Sequence, residues 1–237
     1  MRIEPSRPPG DAPCPHCGAL VWFGPRKHRR FPSVPLKALG FNSAHLANTV
    51  VTDAQLRQLS ATPKLIFLNL DHTGVTDARI ASLASLSELL DLSLCGCPLG
   101  DGALVHLNRN QDLSHLDLSD TRITDAGLAE LRPFARLRCL RLRRTKITGA
   151  GLIHLKVLPQ LVDLQLGGSR VGDSGIGNLA GLRLNYLDLS GTRVTDAGLG
   201  HLKALAQLQV VDLAGTRVTD KGMRQLQHGL PNCEVER

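Results

Sequence analysis

Cys14 and Cys17 stand in a C-x-x-C spacing, with Pro15 and Gly18 shaping a tight turn around them. Two thiolates so spaced form one knuckle of a zinc ribbon, and structural zinc takes four ligands in a tetrahedron. His28 is the nearest further ligand, while His16 lies between the cysteines where it is awkward for the same ion. Zinc at Cys14, Cys17 and His28, within one chain or shared between two, therefore lacks a visible fourth ligand, and no resident cofactor is expected. Cys95 and Cys97 form a C-x-C far along the chain. They read as free cysteines packed as small apolar residues. A second group is cationic: RPFARLRCLRLRRTK, residues 132–146, holds seven basic residues in fifteen. Histidines at 45, 106, 115, 154 and 201 have no accompanying G-x-S-x-G, P-loop or H-E-x-x-H motif, so no enzymatic activity is expected.

Such groups need elements to position them, and the bulk composition narrows which. The chain has 237 residues, 42% hydrophobic but only 3% aromatic, so its core must be built from Leu, Val, Ile and Ala. Nothing resembles a membrane span or a secretory leader, which predicts retention in the cytoplasm with no membrane partner. Six cysteines at scattered positions fit reduced thiols better than a disulfide framework. The formal charge is +7; residues 1–40 carry seven Lys/Arg against two acids, and the rest carries 21 against 19. The basic excess thus sits in the head, which also holds Trp22, Phe23 and Phe31. Such a head predicts either a cap on an apolar end or a nucleic-acid contact.

From residue 41 onward one pattern repeats. The frame restarts at Phe41, Leu65, Leu89, Leu113, Leu137, Leu161, Leu184 and Leu208, in steps of 24 except for one step of 23. NCEV at 232–235 begins a ninth unit. The consensus is LxxLxLxxTxVTDAGLxxLxxLxx. Its front half alternates as a strand with one buried face does; its back half spaces apolar residues as a helix face, as in Val194, Leu199, Leu202 and Leu205. No single unit can bury its own apolar side, so the units must stack into one core. Thr at unit position 12 suits a helix N-cap. Asp at position 13, in seven of eight units with Gly149 the exception, suits the helix dipole. Glycines at 127, 151, 175, 198 and 222 predict close packing between neighbouring coils. Thr at position 9, replaced by Cys97 and Ser169, points inward, its hydroxyl satisfying turn backbone groups.

These units resemble the leucine-rich repeat family over residues 41–235, about four fifths of the chain. The TxVTDAGLxxL form is similar to the bacterial relatives of the cysteine-containing subfamily. The resemblance implies an α/β leucine-rich-repeat solenoid, curved, with a parallel sheet on the concave face and helices on the convex face. It also implies protein binding rather than catalysis. No F-box is present, so no ubiquitin-ligase role is carried over. Two regions result: a short irregular basic, Pro-rich head at 1–40, with a hairpin or loop at 14–23, and a repeat domain at 41–237.

Side chains alternate along a strand, so unit positions 3 and 5 should form two columns on the concave sheet, about 35 Å tall at the usual strand spacing. The expected partner-binding residues are His115, Asp117, Arg138, Arg141, Arg143, Asp163, Tyr186, Asp188 and Asp212. Asp117 should lie beside Arg141, and Asp120 beside Arg144. The cationic unit reads either as a ladder of weak surface ion pairs or as an acidic-partner site. Arg143, with Ser119 and Gly167 as column neighbours, should hold a free guanidinium. A further row at position 10, Arg122, Lys146, Arg170, Arg193 and Arg217, falls in an exposed turn and reads chiefly as a solvated face. The expected function is a non-catalytic protein–protein interaction scaffold. The alternative is a nucleic-acid-binding or zinc-linked adaptor acting through the CPHCG head.

Overall fold

The computed structural model describes residues 11–13, 20–22, 42–62 and 64–237. In the head, β1 (Asp11–Pro13) pairs antiparallel with β2 (Leu20–Trp22), Asp11 opposite Trp22 and Pro13 opposite Leu20. The hairpin thus starts before the knuckle rather than at Cys14. Cys14, Cys17 and His28 lie outside the described residues.

The repeats form one sheet of nine parallel strands in sequence order: β3 (Ser43–His45), β4 (Phe67–Asn69), β5 (Asp91–Ser93), β6 (His115–Asp117), β7 (Cys139–Arg141), β8 (Asp163–Gln165), β9 (Tyr186–Asp188), β10 (Val210–Asp212) and β11 (Glu234–Glu236). The register is constant, so unit position 3 meets position 3 and position 5 meets position 5 in every pair. The middle residue of each strand from β3 to β10, such as Leu68, Leu116 or Val211, is buried in the core. That core is aliphatic, as the composition requires, with Phe134 its one ring among the described residues.

The return half is a regular amphipathic helix in the first and last coils and shorter in the coils between them. The α-helical segments are α1 (Asp53–Ser60), α2 (Asp77–Ile80), α3 (Gly102–His106), α4 (Asp125–Ala129), α5 (Asp173–Ile176), α6 (Asp196–Leu202) and α7 (Asp220–Gly229). Stretches of 3-10 helix extend α2, α3 and α5. The fifth coil has no α-helix; Gly151–Val157 is 3-10 throughout. Its first turn carries Gly149 and Gly151, and each glycine disfavours a helix interior by about 1 kcal/mol relative to alanine.

Position 8 turns the chain out of each strand, and it does so left-handed in all eight units: Asn48, His72, Gly96, Asp120, Arg144, Gly168, Gly191 and Gly215 have φ between 53° and 69°. Position 9 then fixes the turn. Thr73, Thr121, Thr145 and Thr192 are buried, and each hydroxyl donates to the carbonyl three residues earlier, at 2.5–2.7 Å. Cys97 donates instead to Leu70 O of the preceding coil, at 3.1 Å. Ser169 does not follow the expectation; its buried hydroxyl makes no hydrogen bond. The shorter Ser side chain, without the threonine methyl, lacks the packing that aims the hydroxyl back at the turn.

Coils are held to one another on the convex side by a repeated clamp. Asp101 accepts from Thr124 N (2.8 Å) and Thr124 Oγ1 (2.7 Å) in the next coil. Asp125 does the same for Thr148, Asp173 for Thr195, and Asp196 for Thr219. Position 13 is therefore more than a dipole partner for its own helix; it caps its neighbour. The same carboxylates explain the glycines at position 15. A Cβ on Gly151 would stand 2.8 Å from Asp125 Cα, and one on Gly198 2.5 Å from Asp173 Oδ1. Where Gly149 replaces the aspartate, the clamp is missing. Gly149 and Gly175 then meet backbone to backbone too closely for either to carry a Cβ, and Asn178 Nδ2 donates to Gly149 O at 2.8 Å across the gap.

Candidate functional site

The concave sheet presents positions 3, 5 and 7 of each coil. Across the nine strands and their following turns these positions hold eight carboxylates: Asp71, Asp91, Asp117, Asp163, Asp188, Asp212, Glu234 and Glu236. The same positions hold two guanidiniums, Arg141 and Arg143.

Both guanidiniums face carboxylates of that surface. Arg141 Nη1 lies 3.7 Å from Asp117 Oδ2, as column adjacency predicts. Burial pushes the Asp117 carboxyl above its usual range, opposed by the Arg141 charge and by the Ser119 amide that donates to Oδ1 at 2.9 Å. Arg143 is not free. Its Nη2 lies 2.8 Å from Asp188 Oδ2 and 3.4 Å from Ser190 Oγ, two strands away. Sequence reasoning compared Arg143 with its immediate neighbours, and that was the error. Gly167 has no side chain, and a Cβ there would stand 2.7 Å from Asp188 Oδ2 and from Ser190 Oγ. The arginine reaches across the space glycine leaves. Asp188 is fully buried, so its charge is one the fold must neutralise.

At the turn below, Arg144 forks onto Asp120, with Nε to Oδ1 at 2.5 Å and Nη2 on Oδ2. The Arg144 guanidinium holds the Asp120 carboxyl below the usual range. Arg138 is exposed at the margin of the sheet. His115 shares a 2.7 Å hydrogen bond between Nδ1 and Ser114 Oγ. Asp163 is buried and accepts from Gln165 Nε2 at 3.2 Å, and Asp212 accepts from Ala214 N at 2.8 Å. Tyr186 is half-buried; burial, then Asp188, Asp212 and Glu236, push its phenol well above the usual range. The local field at β9–β11 is negative.

Three participants were missed from sequence. Asp71 accepts from Ser93 Oγ (2.5 Å), Cys95 N (2.9 Å) and Asn69 Nδ2 (3.0 Å), tying β4 to β5. Glu234 and Glu236 extend both columns onto β11. The signals were present: position 7 continues the outward alternation past the strand, and NCEVE continues the repeat. At the other end, the His45 and Phe67 rings lie in contact, tilted by 38°, with centroids 4.8 Å apart.

One short strand per coil, a left-handed turn after it, a clamped helical return and LxxLxL spacing define the leucine-rich-repeat fold, and the chain adopts that fold. The comparisons agree. The Leucine Rich repeat family model matches residues 109–131 and 184–203. Among solved structures, internalin C2 of Listeria monocytogenes is 27% identical with a TM-score of 0.63, covering 82% of this chain and 79% of its own. Another internalin of that organism is 20% identical (TM-score 0.60; 82% of this chain, 66% of its own). A leucine-rich-repeat protein of Leptospira interrogans is 22% identical (TM-score 0.62; 82% and 48%). The chain therefore spans less than two thirds of those last two. Comparison with curated proteins found no match. Leucine-rich-repeat domains are generally protein-interaction scaffolds rather than catalysts. No described helix is long and apolar enough to cross a membrane.

Proposed function

We propose that the chain is a non-catalytic scaffold whose concave face takes a protein partner, and that the segment it takes is cationic. The observation that carries this reading is the charge of the face: six carboxylates that reach its surface (Asp71, Asp91, Asp117, Asp212, Glu234 and Glu236), with Asp163 and Asp188 buried beneath them, against two guanidiniums that each already lie beside a carboxylate. This reverses the acidic-partner reading of the Arg-rich unit, because Arg141 and Arg143 are engaged within the molecule. Complementary charge across such a face steers encounter and selects against acidic segments.

The test is binding of extended peptides that carry Lys, or Glu, at alternate positions. Wild-type protein should retain the Lys series and not the Glu series, and Asp212→Lys with Glu236→Lys should reduce retention at least tenfold. Equal retention of both series, or no effect of the double substitution, would remove the concave face from the site. The adaptor reading based on the head rests on Cys14, Cys17 and His28, and it remains a separate proposal tested by metal content of the purified chain.

A further inference from the structure

We infer that the row at unit position 10, Arg122, Lys146, Arg170, Arg193 and Arg217, is a second interaction surface, which takes the phosphate backbone of duplex nucleic acid. This surface is distinct from the concave sheet and does not depend on the reading above. All five side chains are exposed, one per coil in five consecutive coils. Their backbones are held in line: the amide of each donates to the position-11 carbonyl of the coil before it, at 2.8–3.1 Å. Parallel bridges Gly172–Arg193 and Thr195–Arg217 carry the sheet spacing out to this edge.

No member of the row makes an ion pair among the described residues, and the same holds for Arg57, Arg109, Arg132, Arg138, Arg183 and Arg224. What sets the row apart is its alignment at one position of five consecutive coils. The carboxylates nearest in sequence are engaged elsewhere: Asp125, Asp173 and Asp196 with Thr148, Thr195 and Thr219 of the following coils, Asp120 with Arg144, and Asp220 with Arg237. Two residues before the last three members stand Gly168, Gly191 and Gly215, all exposed, which leaves that edge open to a bulky ligand. Four of the five cations are Arg, whose fork matches phosphate oxygens.

The spacing fits a nucleic acid. Four gaps at about 4.8 Å span about 19 Å. A duplex makes one turn in about 34 Å, so a row of this length crosses a groove and meets the phosphates on its edges. No position of the row is aromatic, so there is no platform for stacked bases and no base-reading group. The surface therefore takes duplex without sequence preference.

The experiment is fluorescence anisotropy of a labelled 24-base-pair DNA duplex with the full chain, across a salt titration. Three proteins are compared: wild type, Arg170→Gln/Arg193→Gln/Arg217→Gln, and the same three positions changed to Lys. Losing three contacts should lower the slope of log K against log salt by about 2.7, from about 0.9 per phosphate contact. The Lys version should keep the wild-type slope, showing that charge is what matters and that the fold is intact. A slope unchanged in the Gln variant overturns the proposal, as does loss confined to a head variant, Arg26→Gln/Lys27→Gln/Arg29→Gln/Arg30→Gln. Polyglutamate of matched charge competing as well as unlabelled duplex would also overturn it, by assigning the row to acidic protein.

Discussion

Arg143 and Asp188 are a pair of unequal partners: the carboxylate is fully buried, and the guanidinium side chain is 39% exposed. Removing the arginine leaves the carboxylate only the Ser190 amide and hydroxyl, both on Oδ1. Breaking a fully buried pair costs about 3–5 kcal/mol, and the exposure of Arg143 lowers the expectation for Arg143→Ala to about 2–3 kcal/mol. Chemical denaturation should show this. Asp188→Ala made in the Arg143→Ala background should recover part of the loss, and strictly additive costs would mean the pair is not coupled. Cys95 carries a different expectation. Burial, then Asp117, Asp71 and Asp120, push its thiol up to about 12. At pH 8 it should hold roughly a thousandfold less thiolate than an ordinary cysteine. Mass spectrometry after iodoacetamide treatment should find the Cys95 peptide unlabelled in the native protein and labelled in denaturant. Rapid native labelling would contradict the geometry. Little of this was readable from residue types. Asp117 beside Arg141 followed from register alone, but the Arg143 contact depends on what Gly167 leaves out, a relation spanning two strands.

At the scale of the element, the clamp makes glycine substitutions diverge in sign. Gly200 lies exposed within α6 with nothing within 4 Å of an added Cβ, so Gly200→Ala should stabilise by about 0.5–1 kcal/mol. Gly151→Ala places a methyl against Asp125 and should destabilise by about 1–3 kcal/mol. Paired thermal melts decide between clamp and helix propensity: stabilisation by both substitutions would show that Asp125 moves aside. Asp125→Ala, which removes the acceptor for two donors of the next coil, should cost about 2 kcal/mol. Acid acts on the same device. The Thr219 hydroxyl and amide hold the Asp196 carboxyl below its usual range. A carboxyl lowered on folding contributes stability that is complete above the ordinary carboxylate range and is lost as pH falls through the lowered value. Protection of α7 amides should therefore drop over that acid window before the aliphatic core opens. The period, the strands, the packing glycines and the N-cap threonines at 52, 124, 195 and 219 were legible in the sequence, because each repeats at a fixed position; Thr76 makes no cap hydrogen bond, and the helix of the fifth coil starts after Ala150 rather than at Thr148. The reach of Asp into the following coil was not, since a dipole partner and a cap for a neighbour carry the same residue type. Nor was the 3-10 character of Gly151–Val157, where local glycine content overrides the apolar period.

For the whole molecule, each coil rests on its neighbours alone, so stability is close to a sum along one axis. The missing clamp at Gly149 makes that sum uneven. Between the fifth and sixth coils the sheet is continuous, but the convex side is joined by glycine backbones and Asn178 in place of an aspartate clamp. Hydrogen exchange in mild denaturant should find β8–β11 opening at lower free energy than β4–β7; one common opening energy would show the gap to be energetically silent. The sequence placed this gap by its one Gly at position 13 but could not show that the backbones close over it. The far end of the array has its own consequence. A strand added to β11 would lengthen the sheet without closing it. β11 is three residues long, and two of them are exposed glutamates. Their charge and the brevity of the strand make it a poor template. Replacing both with threonine should increase self-association, visible as a sedimentation profile that broadens with concentration.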